Sequence, residues 1–203
     1  MEWKPAWYIL AGAVFLCGCS GSSPRFRSID TSGLKSAQDE DEARFAPTIR
    51  EELAREDDRK VDVQGVKKRM TSDEHPSPAG VNRDKFLIEV VSYLGTPYQY
   101  GGMSKAGMDC SALSSLVYAH AIGKGLPRST LEQYEVGKGV KKYDLQFGDL
   151  VFFNTTGKIP SHVGIYIEDD LFAHASVVNG VTISSLESSY YKKRYVGARR
   201  IVE

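Results

Sequence analysis

The order of the sequence patterns from Arg83 onward most constrains the fold of this chain. Helical patterns come first, with apolar residues at three- and four-residue spacing over Arg83 to Tyr93 and from about Cys110 to Ile122. Short strand patterns follow, at Asp149 to Phe153, His162 to Ile167, Leu171 to Ala175, Val181 to Ser184 and Tyr195 to Val202. Helices followed by an antiparallel sheet predict a single α+β domain over residues 83–203, with a helix packed on the sheet.

The first 18 residues have the pattern of a signal peptide for export. Lys4 precedes an uncharged apolar stretch that ends at Gly18 and is too short to span a bilayer comfortably. The segment from Leu16 to Cys19 resembles a bacterial lipobox, in which the signal is cut before the final cysteine and that thiol carries lipid. We therefore expect residues 1–18 to be removed and Cys19 to be lipidated. The resulting protein would be anchored in the cell envelope, on the periplasmic face of the outer membrane.

Residues 19–82 are predicted to be a tether between the lipid and the domain. Most of this segment is polar, Ser-rich and poor in large apolar residues, a composition that does not order itself. Near residues 47–60 the pattern changes, because Pro47 suits a first helical turn and Ile49 with Leu53 forms a thin apolar stripe. We expect a short helix there, docked on the domain, docked on an envelope partner protein, or exposed to solvent without a partner.

The charge balance argues against nucleic acid as a partner. The chain has 26 Lys and Arg residues and 26 Asp and Glu residues. It therefore lacks the basic excess that binding to a phosphate backbone requires.

Cys110 is the candidate nucleophile. The other two cysteines, Cys17 and Cys19, fall at the lipobox, so no disulfide is expected within the domain. Gly-rich turn sequence gives way to the second helix at Asp109, which places the Cys110 sulfur at a helix N-terminus. The unpaired N–H groups and the helix dipole favour a thiolate there by lowering the thiol pKa. An inert core cysteine is the alternative, although an oxidising export compartment disfavours idle thiols.

A cysteine nucleophile needs a base, and two of the four histidines are placed to serve. His75 precedes the domain, and His120 follows Cys110 on the same helix at a distance of about 15 Å. His162 and His174 lie on two predicted strands joined by a short turn, so their side chains are predicted to be adjacent on one face of a hairpin. For His162 this is the more polar face of its strand.

Several motifs in one order resemble the NlpC family of bacterial cell-wall cysteine peptidases. They are GTPYQYGG, Asp109 to Leu113, GDLVFF, Ser161 to Tyr166 and Phe172 to Ala175, and the resemblance covers about Arg83 to Glu203. It implies a papain-like fold that hydrolyses peptide bonds in the stem peptides or cross-links of peptidoglycan. It also implies that no metal or organic cofactor takes part.

Carried over by position, the resemblance makes Cys110 the nucleophile, His162 the general base and His174 the residue that orients His162. It alone selects Tyr98, whose hydroxyl is expected to assist the backbone N–H of Cys110 at the oxyanion.

Two further residues are candidate substrate contacts. Arg128 lies in the motif LPRST and suits a stem-peptide carboxylate, because Arg binds carboxylates well. Ser111 is expected either to support the helix start or to contact substrate. Asp109 is expected to cap the helix rather than to take part in the chemistry.

Two other functions remain open at this level. The chain has the features of a non-catalytic lipoprotein of the same fold that binds peptidoglycan or scaffolds other hydrolases. The thiol chemistry is equally that of an amidase or acyltransferase acting on a different amide.

Overall fold

The computed structural model describes residues 82–202 and, ahead of them, residues 44, 47–53, 65 and 68. The predicted signal peptide, Cys19 and most of the predicted tether lie outside these residues, so the domain limits stay a prediction. Within the described ranges, no helix has both the length and the apolar character needed to cross a membrane.

Two capped helices open the domain, α1 (Arg83–Tyr93) and α2 (Cys110–Ile122), as the sequence predicted. The Asp109 side chain accepts a hydrogen bond from the backbone N–H of Ala112 at 2.8 Å, which satisfies a donor that the first turn of α2 leaves unpaired. The helix ends at Gly123, whose φ of 68° is left-handed and favours glycine.

Short elements surround these helices. The hairpin of β1 (Met103–Ser104) and β2 (Gly107–Met108) precedes α2. The short helix α3 (Thr130–Tyr134) follows α2 and begins with a capping box, in which Ser129 and Glu132 bond reciprocally.

Six antiparallel strands form the main sheet, which confirms the α+β prediction. Their order across the sheet is β3-β8-β4-β5-β6-β7. The strands are β3 (Lys138–Val140), β4 (Leu150–Phe153), β5 (His162–Tyr166), β6 (Leu171–Ser176), β7 (Gly180–Ser185) and β8 (Tyr195–Arg200). A 3-10 turn (Lys142–Asp144) precedes β4, and the helix α4 (Ser189–Arg194) precedes β8. The sequence patterns do not predict β1, β2, β3 or α4.

Both faces of the main sheet are buried, and alternate residues of its strands belong to two apolar clusters. The front cluster packs the sheet against α1 and α2 and includes Cys110. The back cluster covers the opposite face. Its sheet and α4 members are Val151, Phe153, Phe172, Tyr190, Tyr191 and Ala198.

Residues 47–53 are helical and contribute to the back cluster. Ile49 and Leu53 are each only 8% exposed. Glu52 forms an ion pair with Arg194 at the end of α4. The apolar stripe seen in the sequence is therefore buried against this chain's own domain.

Candidate active site

Cys110 is the first residue of α2 and does not take part in a disulfide. Its side chain is 7% exposed, and its Sγ lies 3.6 Å from the Thr130 Oγ1 at the start of α3. The loop before the helix passes very close to the hairpin, since a Cβ on Gly102 would lie 2.4 Å from the carbonyl oxygen of Gly107. Glycine at that position permits the close approach.

A charged network holds the start of α2. The guanidinium of Arg128 donates to both carboxylate oxygens of Asp109, from Nη1 to Oδ1 at 2.8 Å and from Nη2 to Oδ2 at 2.6 Å. The backbone N–H of Gly101 donates to the same Oδ2 at 2.9 Å. The hydrogen bond with Asp109 is the main cause that raises the pKa of Arg128. Asp109 therefore caps the helix, as predicted, and carries a bidentate ion pair as well.

The same network bears on the two predicted substrate contacts. Ser111 is buried, and its Oγ donates to Asp109 and accepts from Arg128 Nη1 at 2.8 Å. Both residues thus support the start of α2. A contact of Arg128 or Ser111 with substrate stays a prediction, and for Arg128 it would have to share the guanidinium with Asp109.

Tyr98 lies in the Gly-rich loop ahead of the hairpin. Its backbone forms an isolated bridge with Met108, and the next residue, Gln99, donates its N–H to the Met108 carbonyl at 3.1 Å. The Tyr98 side chain is half-buried against the front cluster. The backbone thus ties Tyr98 to a residue only two positions before Cys110.

The two predicted histidines form a hydrogen-bonded pair. His162 is the first residue of β5, and its Nε2 lies 2.9 Å from the Nδ1 of His174 on β6. Their rings are nearly perpendicular, with centroids 5.0 Å apart. The structure therefore brings these side chains together on one face of the hairpin, as the alternation along the strands predicted.

Aromatic rings cover the more polar face of β5, on which His162 was expected to lie. The ring of Phe172 stacks on His174 at 4.9 Å, and the rings of Phe153 and Tyr191 lie 6.1 and 6.4 Å from His162. Gly164 leaves the space for Phe172, since a Cβ there would lie 2.5 Å from that ring. The histidine pair thus lies on the face of the back cluster, among aromatic rings.

Burial sets the charge state of this pair. It lowers the pKa of His162 to about 4, although the negative charge of Asp109 acts in the opposite direction. Burial and the proximity of His162 also hold the pKa of His174 well below its usual range. Both imidazoles are therefore neutral near pH 7.

Two hydroxyl groups that the sequence analysis missed lie at the far nitrogen of His174. The Ser184 Oγ on β7 is 3.0 Å from His174 Nε2, and the Tyr191 hydroxyl on α4 is 3.3 Å from the same atom. The alternation of side chains along β6 and β7 could have identified Ser184 from the sequence. A turn at Asn179 and Gly180 sets the register of β6 and β7 so that Ser184 and His174 share a face.

The backbone brings Cys110 and His162 to the same end of the sheet. The segment that follows α1 pairs with the start of β7. The Val181 N–H donates to the Thr96 carbonyl at 2.8 Å, and the Gly95 N–H donates to the Val181 carbonyl at 2.9 Å. The start of β7 pairs with the end of β6, and β5 begins at that same end with His162. Because Tyr98 follows Thr96 and bridges to Met108, the start of α2 is held there as well.

The remaining histidine of the domain, His120, contacts side chains of α1. His120 is exposed, and its Nδ1 lies 3.2 Å from the Tyr93 hydroxyl and 3.3 Å from Glu89 Oε2. His75 falls outside the described residues. In the part of the chain that the structure describes, no group of three or more His, Cys, Asp or Glu side chains is arranged to hold a metal ion.

A cysteine at a helix start and a histidine pair on an adjoining antiparallel sheet define a papain-like cysteine peptidase domain. Comparison with known proteins agrees with this class. The model of the NlpC/P60 family matches residues 95–200, and the chain belongs to this family.

Similar proteins include relatives along nearly the full chain. The protein named Murein DD-endopeptidase MepS/Murein LD-carboxypeptidase of Escherichia coli K12 is 35% identical over 209 aligned residues, which cover 96% of this chain and 94% of that protein. The Probable endopeptidase NlpC of the same strain is 43% identical over 114 residues, covering 56% of this chain and 74% of its own.

A solved structure has the same domain fold. The crystal structure of an NlpC/P60 family protein from Bacillus cereus superposes with a TM-score of 0.54 at 33% identity. The alignment covers 63% of this chain but only 42% of that one, so the similarity concerns one part of a longer protein.

Proposed function

We propose that Cys110, His162 and His174 are the catalytic residues with which this chain, a murein endopeptidase, hydrolyses peptide bonds in peptidoglycan. The relatives named as murein and NlpC endopeptidases support the substrate class and the reaction. The observation that carries the proposal is the hydrogen bond between His162 Nε2 and His174 Nδ1, at the end of the sheet where α2 begins with Cys110.

The nitrogen that would act as base follows from this hydrogen bond. Because His162 Nε2 is engaged with His174, the other ring nitrogen, Nδ1, is the one left to exchange a proton with Cys110. The low pKa of His162 means that its imidazole is uncharged near pH 7 and has a lone pair with which to accept a proton.

The reaction proceeds through a thioester. His162 Nδ1 takes the proton of Cys110 while Sγ attacks the scissile carbonyl carbon, and the oxyanion is stabilised by the Cys110 backbone N–H and by Tyr98. His162 then gives the proton to the departing amine. Water, deprotonated by the same nitrogen, hydrolyses the thioester and releases the free cysteine.

Anchoring of the protein at the outer membrane, through lipid on Cys19, is the second part of the proposal. The lipobox pattern from Leu16 to Cys19 supports it. Incorporation of a labelled fatty acid by the full chain, and its loss in Cys19→Ser, tests the lipid, and density fractionation of the two membranes tests the location. A Cys19→Ser protein that still carries label would contradict the assignment.

A partner protein in the envelope would have to contact the exposed side of the helical residues 47–53. Ile49 and Leu53 are buried against the domain, whereas Arg50 is exposed. Cross-linking from position 50 in intact cells, compared with cross-linking from the exposed Lys124, tests this part of the proposal.

Digestion of purified sacculi separates the candidate activities. We expect wild type to release cleaved stem peptides or cross-links, which mass spectrometry of the muropeptides identifies, and Cys110→Ala to release none. The surface variant His120→Gln, on the same helix as Cys110, serves as the matched control and should retain activity.

Each other outcome selects a different function. Binding to sacculi without cleavage by wild type would indicate a binding or scaffolding lipoprotein. If wild type leaves sacculi uncleaved but turns over other amides, the protein is an amidase or acyltransferase. Cleavage that persists in Cys110→Ala would refute the assignment of the nucleophile.

A further inference from the structure

His174 is fully buried and both of its ring nitrogens are engaged. Nδ1 faces His162 Nε2, and Nε2 faces the hydroxyls of Ser184 and Tyr191. A neutral imidazole has one N–H and one lone pair. The tautomer of His174 therefore determines the tautomer of His162, that is, which of its two ring nitrogens carries the proton.

Only one of the two arrangements leaves His162 able to act as the base. If His174 is protonated on Nε2, it donates to a hydroxyl oxygen and accepts from His162 Nε2–H, so His162 Nδ1 keeps its lone pair. If a hydroxyl instead donates to His174 Nε2, then His174 Nδ1–H donates to His162, and the proton of His162 is on Nδ1. That nitrogen cannot accept the proton of Cys110.

We propose that Ser184 is a positioning residue that holds the histidine pair in the productive tautomer by accepting the Nε2–H of His174. This inference rests on the proposed function, because it takes His162 as the base. During attack the Cys110 proton moves to His162 Nδ1, and the protons on His162 Nε2 and His174 Nε2 stay where they are.

Two observations favour Ser184 over Tyr191 as the acceptor. Its Oγ is the closer of the two, at 3.0 against 3.3 Å. Ser184 is half-buried on β7, an edge strand of the sheet, so its own hydroxyl proton can be directed to water while a lone pair accepts from His174.

Tyr191 is better suited to donate a hydrogen bond to His174 than to accept one. Its side chain is buried within the back cluster, and a phenol is a better donor than an aliphatic hydroxyl. A hydrogen bond from Tyr191 to His174 Nε2 would favour the unproductive tautomer, so Ser184 counteracts it. The other ionisable groups around the pair are Asp109, whose charge acts on His162, and Cys110 at the start of α2.

The test combines turnover with nitrogen NMR of labelled histidines in the full-length protein. We expect Ser184→Ala to lower kcat on a soluble muropeptide about tenfold with little change in KM, the effect of one lost hydrogen bond. The His162 Nδ1 signal should move from the range of an unprotonated ring nitrogen toward that of a protonated one. Ser184→Thr, which keeps the hydroxyl on a strand, should stay within about twofold of wild type.

Two further variants separate this role from a general loss of packing. Adding Tyr191→Phe to Ser184→Ala removes the competing donor but supplies no acceptor for the His174 Nε2–H, so kcat should recover only in part. Ser185→Ala, on the same strand, is the matched control, because the Ser185 Oγ accepts from the backbone N–H of Glu187 at 3.1 Å and alternation places it on the opposite face of β7 from Ser184. It should retain wild-type turnover and nitrogen shifts.

The proposal is overturned if Ser184→Ala keeps both kcat and the nitrogen shifts, or if Ser184→Thr shares its loss. A wild-type spectrum in which His162 Nδ1 is protonated also overturns it, and this measurement holds even if a variant fails to fold. Wild type that cleaves no muropeptide would instead refute the proposed function, while the spectrum still reports the tautomer.

Discussion

The proposed nucleophile and its proposed base are held by opposite kinds of surroundings. Around Cys110 the structure uses charge, with Asp109 capping the helix and paired bidentately with Arg128. Around His162 and His174 it uses aromatic rings, and burial keeps both imidazoles neutral. The comparison indicates that the charged side fixes the position of the sulfur, whereas the apolar side fixes the protonation state of the base.

The largest expected effect is the loss of turnover when His162, on the aromatic side, is replaced. We expect His162→Gln to lower kcat/KM on muropeptides by about 10⁴-fold, because the proton of Cys110 then has no acceptor. The control His120→Gln should stay within about twofold of wild type. A His162→Gln enzyme that keeps a tenth of wild-type turnover would show that another group is the base.

The second effect is a loss of folding stability in acid, and it is caused by the burial of His162 on the aromatic side. His162 binds a proton near pH 4 when folded and near pH 6.5 when unfolded, so the unfolded state holds more protons between these values. The free energy of unfolding should therefore decrease as the pH falls from 6.5 to 4, by up to about 3 kcal/mol.

Urea unfolding at several pH values measures this loss, with His162→Gln as the comparison. The variant should lose less stability over the same range, while His120→Gln should follow wild type. Equal slopes for wild type and His162→Gln would contradict the buried, neutral state of His162.

The third effect concerns the charged side. Arg128→Ala leaves the buried carboxylate of Asp109 without its counter-charge, and we expect a loss of about 2 kcal/mol, reduced because Arg128 is partly exposed. Adding Asp109→Asn should recover part of the loss. Urea unfolding reports it, with the exposed Lys124→Ala as control.

The same variant also bears on substrate recognition. A rise in KM for acidic muropeptides in Arg128→Ala, beyond the rise for amidated ones, would support the predicted carboxylate contact. Equal KM values for the two substrates would leave Arg128 with its role at the helix start alone.

The smallest effect concerns the helical residues 47–53, which pack on the back cluster. Leu53→Ala should cost about 1 kcal/mol, less than a typical core truncation, because the helical residues 47–53 can detach once their docking is weakened. Limited proteolysis should then cut this segment faster than in wild type. The exposed Arg50→Ala is the control, and equal cleavage rates for Leu53→Ala and wild type would contradict the docking.

Local signals in the sequence were sufficient for α1, α2 and most of the sheet. Asp109 and Gly123 define the ends of α2 because capping and left-handed backbone depend on single residue types. The strand β3 was missed because Lys138 and Gly139 are exposed at the sheet edge and have no apolar alternation. The helix α4 was missed because its six residues are too few for a helical period to be seen.

The site was predicted where it depended on alternation and missed where it depended on packing. The adjacency of His162 and His174 follows from the period of two along paired strands. Their aromatic surroundings do not, because Tyr191 reaches His174 from a helix that is remote in sequence. The partner of Arg128 was also missed, since only the folded loop brings it to Asp109.

If the protein is anchored through lipid on Cys19, as proposed, the docked residues 47–53 change its reach. If the domain were joined to its lipid by all 63 residues of positions 19–81, the fully extended connection would span about 215 Å. With docking from Pro47 onward, only the 28 residues of positions 19–46 remain for that span, which is about 95 Å at most. Undocking this short helix would more than double the radius of cell wall that one anchored molecule can digest.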